Sequence, residues 1–185
     1  STTVTDAAAN EITNSHSLRI TINTMTPEAP ATAPTATDDV DPVTGLITDG
    51  DATNDNTPTF SGTGTTGDLI TIYDGDTAIG AVTVGGDGTW TFTPTDVLGE
   101  GSHSISTTVT DAAGNVSNNS PSLNFTVDTV APDAPLLAPI ATDDAGLIVG
   151  PILEGATTDD NTPTFSGVLA GNIGDIITIY NGDQV

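Results

Sequence analysis

Cysteine is absent from the chain, lysine is absent too, and Arg19 is its only strongly basic residue. Without cysteine there is no disulfide to staple a fold, no thiol nucleophile and no thiolate metal site. Without a basic patch there is nothing to neutralise phosphates, which excludes nucleic-acid binding, and an anionic membrane surface would repel the chain. Zinc would want histidine or cysteine. The two histidines, His16 and His103, fall on different strands or loops and are expected at the surface or on strand edges rather than as ligands. No apolar run approaches the roughly 20 residues of a membrane helix, so no membrane insertion is expected. No signal peptide is visible. Ser1 opens what reads as the middle of a strand, so a natural N-terminus is expected to lie elsewhere.

What the chain has in excess is negative charge. Among 185 residues 25 are acidic, for a formal charge of −24. Such self-repulsion destabilises a compact state unless cations neutralise it. The expected partners are therefore cations or basic surfaces.

The chain also repeats itself. "ATNDNTPTFSG" at 52–62 returns as "TTDDNTPTFSG" at 157–167, an offset of 105 residues. At the same offset "VTDAAAN" (4–10) matches "VTDAAGN" (109–115), and "TPEAP" (26–30) matches "APDAP" (131–135). Beyond Phe165 two residues are inserted, so that "LITIYDGD" (69–76) becomes "IITIYNGD" (176–183). The expected organisation is residues 1–27 as strands F and G of a preceding repeat, 28–131 as a complete repeat, and 132–185 as strands A to C of a following one. Short proline-rich joints stiffen the connections.

Thr, Val, Ile, Gly and Pro dominate, and short alternating runs are bounded by Gly, Asp, Asn and Pro. They predict strands A near 33–37, B near 57–63, C near 69–74, D near 77–84, E near 88–93, F near 102–110 and G near 121–128. Expected inward positions are Phe60, Ile70, Ile72, Val82, Val84, Trp90, Phe92, Ile105, Val109, Leu123, Phe125 and Val127. Seven strands in about 100 residues fit an all-β, immunoglobulin-like sandwich in tandem. "GGDG" at 85–88 is expected to be a hairpin turn joining D to E. It is not a repeats-in-toxin β-roll, because Trp90 stands where that motif needs Asp.

Five motifs in order carry a family resemblance: "TNDNTPTFSG", "ITIYDGD", "GTWTFTP", "GSHSISTTVTDAAGNVS" and "FTVDTVAPDAP". Together they resemble the bacterial Ig-like repeats of giant adhesins exported by type I secretion, the repeats-in-toxin and biofilm-associated class. The resemblance implies a protein held at the bacterial cell surface that uses calcium to stiffen a long stalk.

The acidic residues gather in "DDVD" (38–41), "DGD" (49–51), "NDN" (54–56) and "DGD" (74–76). In an Ig topology the A–B and C–D loops share the end where strand G leaves, while the F–G loop "DAAGN" faces the preceding repeat. Calcium takes six to eight oxygens from carboxylates, amides and carbonyls, and these loops offer them. The candidate ligands are Asp38, Asp39, Asp41, Asp49, Asp51, Asp55, Asp74, Asp76, Asp111, Asp128 and Asp133, with Asp143, Asp144 and Asp160 in the following repeat. "DGDATNDN" is not an EF-hand loop, since Asn54 and Phe60 stand where Gly and Glu belong. Asp and Asn are also turn formers, so single members can be simply solvated turn residues.

Catalysis is not expected. The carboxylate pairs sit in pole loops, recur every 105 residues, and have no basic residue beside them to hold a substrate anion. Two functions remain: a calcium-stiffened extender spacing an adhesive tip from the cell, and a module that itself grips a sugar, ice or host-surface ligand. Thr-rich strands motivate the second, although Thr is also an ordinary outward strand residue. A binder carries a feature its neighbours lack, whereas these repeats copy one another, which favours the extender.

Overall fold

The computed structural model describes residues 3–13, 18–168 and 175–181. Among these every regular element is a strand, and the chain divides into two compact units, 1–129 and 130–185. The first unit opens with a small ribbon, β1 (Thr3–Thr5) paired to β2 (Glu11–Thr13). His16 lies outside the described residues.

The rest of the first unit contains β3 (Thr35–Asp38), β4 (Gly45–Ile47), β5 (Ala52–Thr53), β6 (Thr59–Thr63), β7 (Leu69–Asp74), β8 (Thr77–Thr83), β9 (Thr89–Phe92), β10 (Gly101–Thr110) and β11 (Leu123–Val127). They form two sheets, β4-β3-β6-β9 and β5-β11-β10-β7-β8. Every pairing is antiparallel except that of β5 with β11. Alternation explains the sandwich. Ile70 and Ile72 of β7, Trp90 of β9, Ile105 and Val109 of β10, and Leu123, Phe125 and Val127 of β11 all point inward and are buried. The Phe60 and Phe125 rings, one from each sheet, lie 6.4 Å apart between centroids. Gly62 leaves room for the indole of Trp90, since a Cβ there would sit 2.7 Å from the ring. Gly80 does the same for Phe92.

Several expectations need correction. Val82 and Phe92 are only partly buried, while Ala36, Ile47 and Leu98 join the core unannounced. The stretch between strands A and B is not one loop. Residues 45–47 fold back on β3, and residues 52–53 cross to the other sheet beside β11. "GGDG" does make a tight turn, with the Gly85 N–H bonded to the Thr89 carbonyl at 2.8 Å. But β8 and β9 belong to different sheets, so the turn carries the chain across the sandwich instead of closing a hairpin. In the Thr-rich strand β10, Thr107 shares the inward face of Ile105 and Val109, and Thr108, on the other face, is buried as well.

Strand β11 covers only the lower half of β10, pairing Gly101–Ile105. Above it two serines act in place of a strand. The Ser120 and Ser117 hydroxyls accept from the Thr107 and Val109 N–H groups (3.0 and 2.9 Å), and the backbone N–H groups of the same serines donate back to those residues' carbonyls. Buried backbone groups must be paired, and here hydroxyls do it.

The second unit contains β12 (Ile140–Asp143), β13 (Gly150–Ile152) and β14 (Thr164–Ser166), in the order β13-β12-β14. This is the β4-β3-β6 arrangement 105 residues later.

Candidate functional site

The aspartate-rich pole is built around a buried threonine. Asp38 ends β3, Thr53 ends β5, and Asp55 follows two residues on; all three side chains are buried. The Thr53 hydroxyl donates to Asp38 Oδ2 (2.5 Å) and accepts from the Asp55 N–H (3.0 Å). Asp38 Oδ1 accepts from the Val40 N–H (2.8 Å), and Asp55 Oδ1 from the Thr57 N–H (2.8 Å). The Asp39 N–H reaches Asp55 Oδ2 at 3.4 Å. A buried carboxylate is tolerated because N–H and O–H donors replace water.

The second unit ties the same knot. The Thr158 hydroxyl donates to Asp143 Oδ2 (2.5 Å) and accepts from the Asp160 N–H (3.1 Å). Asp160 accepts from the Thr162 N–H (2.8 Å) and from the Asp144 N–H (3.2 Å). These two backbone donors, Thr162 first, hold the Asp160 carboxyl below its usual value. The threonine was missed in the sequence reading, although its signal was there: both copies carry Thr two residues before the buried Asp.

The other candidates go elsewhere. Asp39 and Asp41 are exposed beside the knot, and the Asp41 carbonyl accepts from the Asn54 side chain at 2.9 Å. Asp49 leaves the pole for β11, where the backbone N–H and the amide of Asn124 both bond its Oδ1 at 2.9 Å and depress its pKa. Asp51 caps the Thr48 turn through that residue's hydroxyl and N–H, both at 2.7 Å, and is likewise depressed. Asp76 is exposed in the β7–β8 turn. Asp128 is held to the pole through its N–H, bonded to the Thr53 carbonyl at 2.9 Å. Asp133 is exposed in the second unit, and Asp144 accepts from the Thr164 hydroxyl at 3.2 Å. Among the described residues no group of three or more His, Cys, Asp or Glu side chains is placed to hold a metal ion.

Asp74 has a partner that the sequence did not suggest. Its Oδ2 lies 2.7 Å from His103 Nδ1, and its Oδ1 accepts from the Ser104 N–H at 3.0 Å. His103 Nε2 lies 2.8 Å from the Gly99 carbonyl, and the ring lies tilted against Phe125 with centroids 5.8 Å apart. Both ring nitrogens face acceptors, so the imidazolium satisfies both bonds. Burial opposes that charge. The bond to Asp74, the bond to Gly99 and the Asp74 charge outweigh it and raise the pKa above the usual histidine value. His103 is thus no surface or edge residue but a largely buried tie on a central strand.

At the opposite end, Asp111 closes the turn after β10. Its Oδ1 accepts from the Ala113 and Asn115 N–H groups and its Oδ2 from the Asn115 amide, all at 2.9 Å. Asn115 is the main cause of its lowered pKa. Asp6 builds the same turn with Ala8 and Asn10.

Two facing sheets, antiparallel except at the β5–β11 edge, define an immunoglobulin-like β-sandwich. The family model described as bacterial Ig-like domain matches residues 29–129. The chain belongs to the bacterial Ig-like domain family. No curated protein matches it significantly. Domains of this family are generally structural, non-enzymatic modules, often of extracellular or surface proteins.

Proposed function

We propose that the chain is part of the extender region of a giant, type I-secreted adhesin on a bacterial cell surface, spacing an adhesive tip from the cell in adhesion or biofilm formation, with calcium as the cation that stiffens it. One observation carries this reading: the same Asp–Thr–Asp knot is built in two successive repeats 105 residues apart. A stalk gains from identical units, because array stability is a sum of unit and nearest-neighbour terms. The outward hydroxyls of the β4-β3-β6-β9 sheet do not favour a ligand-binding face. Thr35 and Ser61 bond each other at 2.7 Å, as do Thr59 and Thr93.

The donor chemistry of the pole suits calcium: oxygen only, and a charge of −24 with one basic residue to offset it. The arrangement is not a closed cage, since among the described residues no three acid side chains converge. Calcium is therefore proposed as a weakly held counter-ion of the pole around Asp38, Asp39, Asp41 and Asp55. Its affinity is expected around 10⁻⁴–10⁻³ M, as in extracellular modules. Thermal melting and small-angle scattering, each with chelator and with millimolar calcium, test this. Chelation should lower the melting temperature and loosen the joints. Superimposable curves would sink the calcium role.

A further inference from the structure

We propose that the turn after β10 is a docking point for the connector that precedes the complete repeat, with Asn23 clamped there by direct hydrogen bonds and no intervening cation. This inference stands apart from the calcium reading. Asn23 Nδ2 donates to Asp111 Oδ2 at 2.9 Å, and Asn115 Nδ2 donates to the Asn23 carbonyl at 3.1 Å. The Asn23 side-chain oxygen turns back to accept from the Met25 N–H at 3.1 Å, which fixes which way the amide faces.

The carboxylate arithmetic supports a direct contact. An ionised carboxylate has about four acceptor positions. The Asp6 turn uses three of them: Ala8 N–H, Asn10 N–H and the Asn10 amide. The Asp111 turn makes the same three bonds, and Asn23 supplies the fourth. Asp111 then has no lone pair left for a metal ion. Apolar packing does not hold the connector either, because Leu18, Ile20, Ile22 and Met25 are all largely exposed. The clamp is specific to its residue. One repeat later the equivalent position is Asp128, whose side chain has no N–H to donate.

The chain carries its own probe of this clamp. Arg19 is its only lysine or arginine, so trypsin has one site, four residues before Asn23. A protease must draw an extended, unconstrained stretch into its cleft, and so cleavage follows the population of released connector. Initial tryptic rates should rise about three- to tenfold in Asn23→Ala and in Asn23→Asp, as expected when one or two exposed hydrogen bonds are lost. Asp111→Asn should do the same while leaving the cleaved segment untouched, because its amide would face two other amides. Synthetic peptides spanning the site, with Asn, Ala or Asp at position 23, correct for intrinsic cleavability. Trp90 fluorescence confirms that the body of each variant is folded. Wild-type rates in all three variants overturn the clamp. So does a wild-type rate that climbs to the variants' level in chelator, since that would put a cation in the contact. An unchanged wild-type rate in chelator, with faster variants, upholds it whatever the melting curves say about calcium.

Discussion

Residues 35–63 and 140–168 share the words "ATDD" and "NTPTFSG" and fold into the same three-stranded piece, yet they differ inside and agree at the pole. Phe60 is 0% exposed and its counterpart Phe165 is 47% exposed; Ile72 is 0% and its counterpart Ile179 45%. The buried acids barely differ, Asp55 at 1% and Asp160 at 5%. The polar knot closes over short sequence distances, from turn to turn: it needs only β3 or its copy β12 and the segment 53–57 or 158–162. The apolar core of the first unit draws on β10 and β11, which contribute Ile105, Val109, Leu123, Phe125 and Val127. Among the described residues of the second unit Phe165, Ile177 and Ile179 line an open apolar groove with Leu137 and Tyr180. Local polar order and remote apolar order are therefore separable in this protein.

The sharpest way to break that comparison is to truncate the matched aromatics. Phe60→Ala should cost about 3–5 kcal/mol in urea unfolding of the first unit, as for other large core truncations. Phe165→Ala should leave that transition where it was. Equal losses would mean that the second unit has a packed core after all.

The knots should behave alike. Asp55→Ala strips acceptors from the Thr57 and Asp39 N–H groups inside a buried site, and should lower stability by about 1–3 kcal/mol. Asp160→Ala should show as faster amide exchange at Thr162, without moving the main unfolding transition. The Asp160 pKa is depressed in the fold, so its contribution is present above the unfolded carboxylate value and fades as pH falls through the folded one. The protection factor at Thr162, with the intrinsic slowing of exchange in acid divided out, should accordingly fall as pH falls. Protection unchanged by the mutation would show that the second knot is not formed in solution.

The smallest expected effect concerns Asp74, which becomes Asn181 in the next repeat. Asp74→Asn writes the later residue into the earlier site and removes the charge beneath His103. It should cost about 1–2 kcal/mol near pH 6. The His103 pKa is raised in the fold, so its stabilisation is complete below the unfolded histidine value and is lost as pH rises through the folded one. The gap between wild type and variant should therefore narrow toward alkaline pH. A gap of constant size from pH 5 to 9 would make Asp74 a structural acceptor only.

How much was legible beforehand follows from the range of each interaction. The seven expected strands lie within a few residues of β3 and β6 to β11, and nearly all the expected inward residues are buried, because period-two alternation is written locally. Strands β4 and β5 went unseen. Three residues pairing back on β3, and two lying parallel to β11, leave no periodic trace. The clustering of acids at the A–B segment was visible. Its partition was not: Asp38 and Asp55 go into the knot, Asp49 to Asn124 and Asp74 to His103.

The sequence by itself determined the repeat, the all-β character, the face each strand residue takes and the scarcity of positive charge, because these depend on composition and on neighbours two residues apart. Only the tertiary structure decided that β8 joins the sheet of β7, that Thr53 bridges two buried acids, that His103 is enclosed, and that Asn23 meets Asp111. Each of those joins groups 15 to 88 residues apart along the chain, or sets the sheet to which an edge strand goes. Such contacts follow from how two twisted sheets close on one another, which no local pattern encodes.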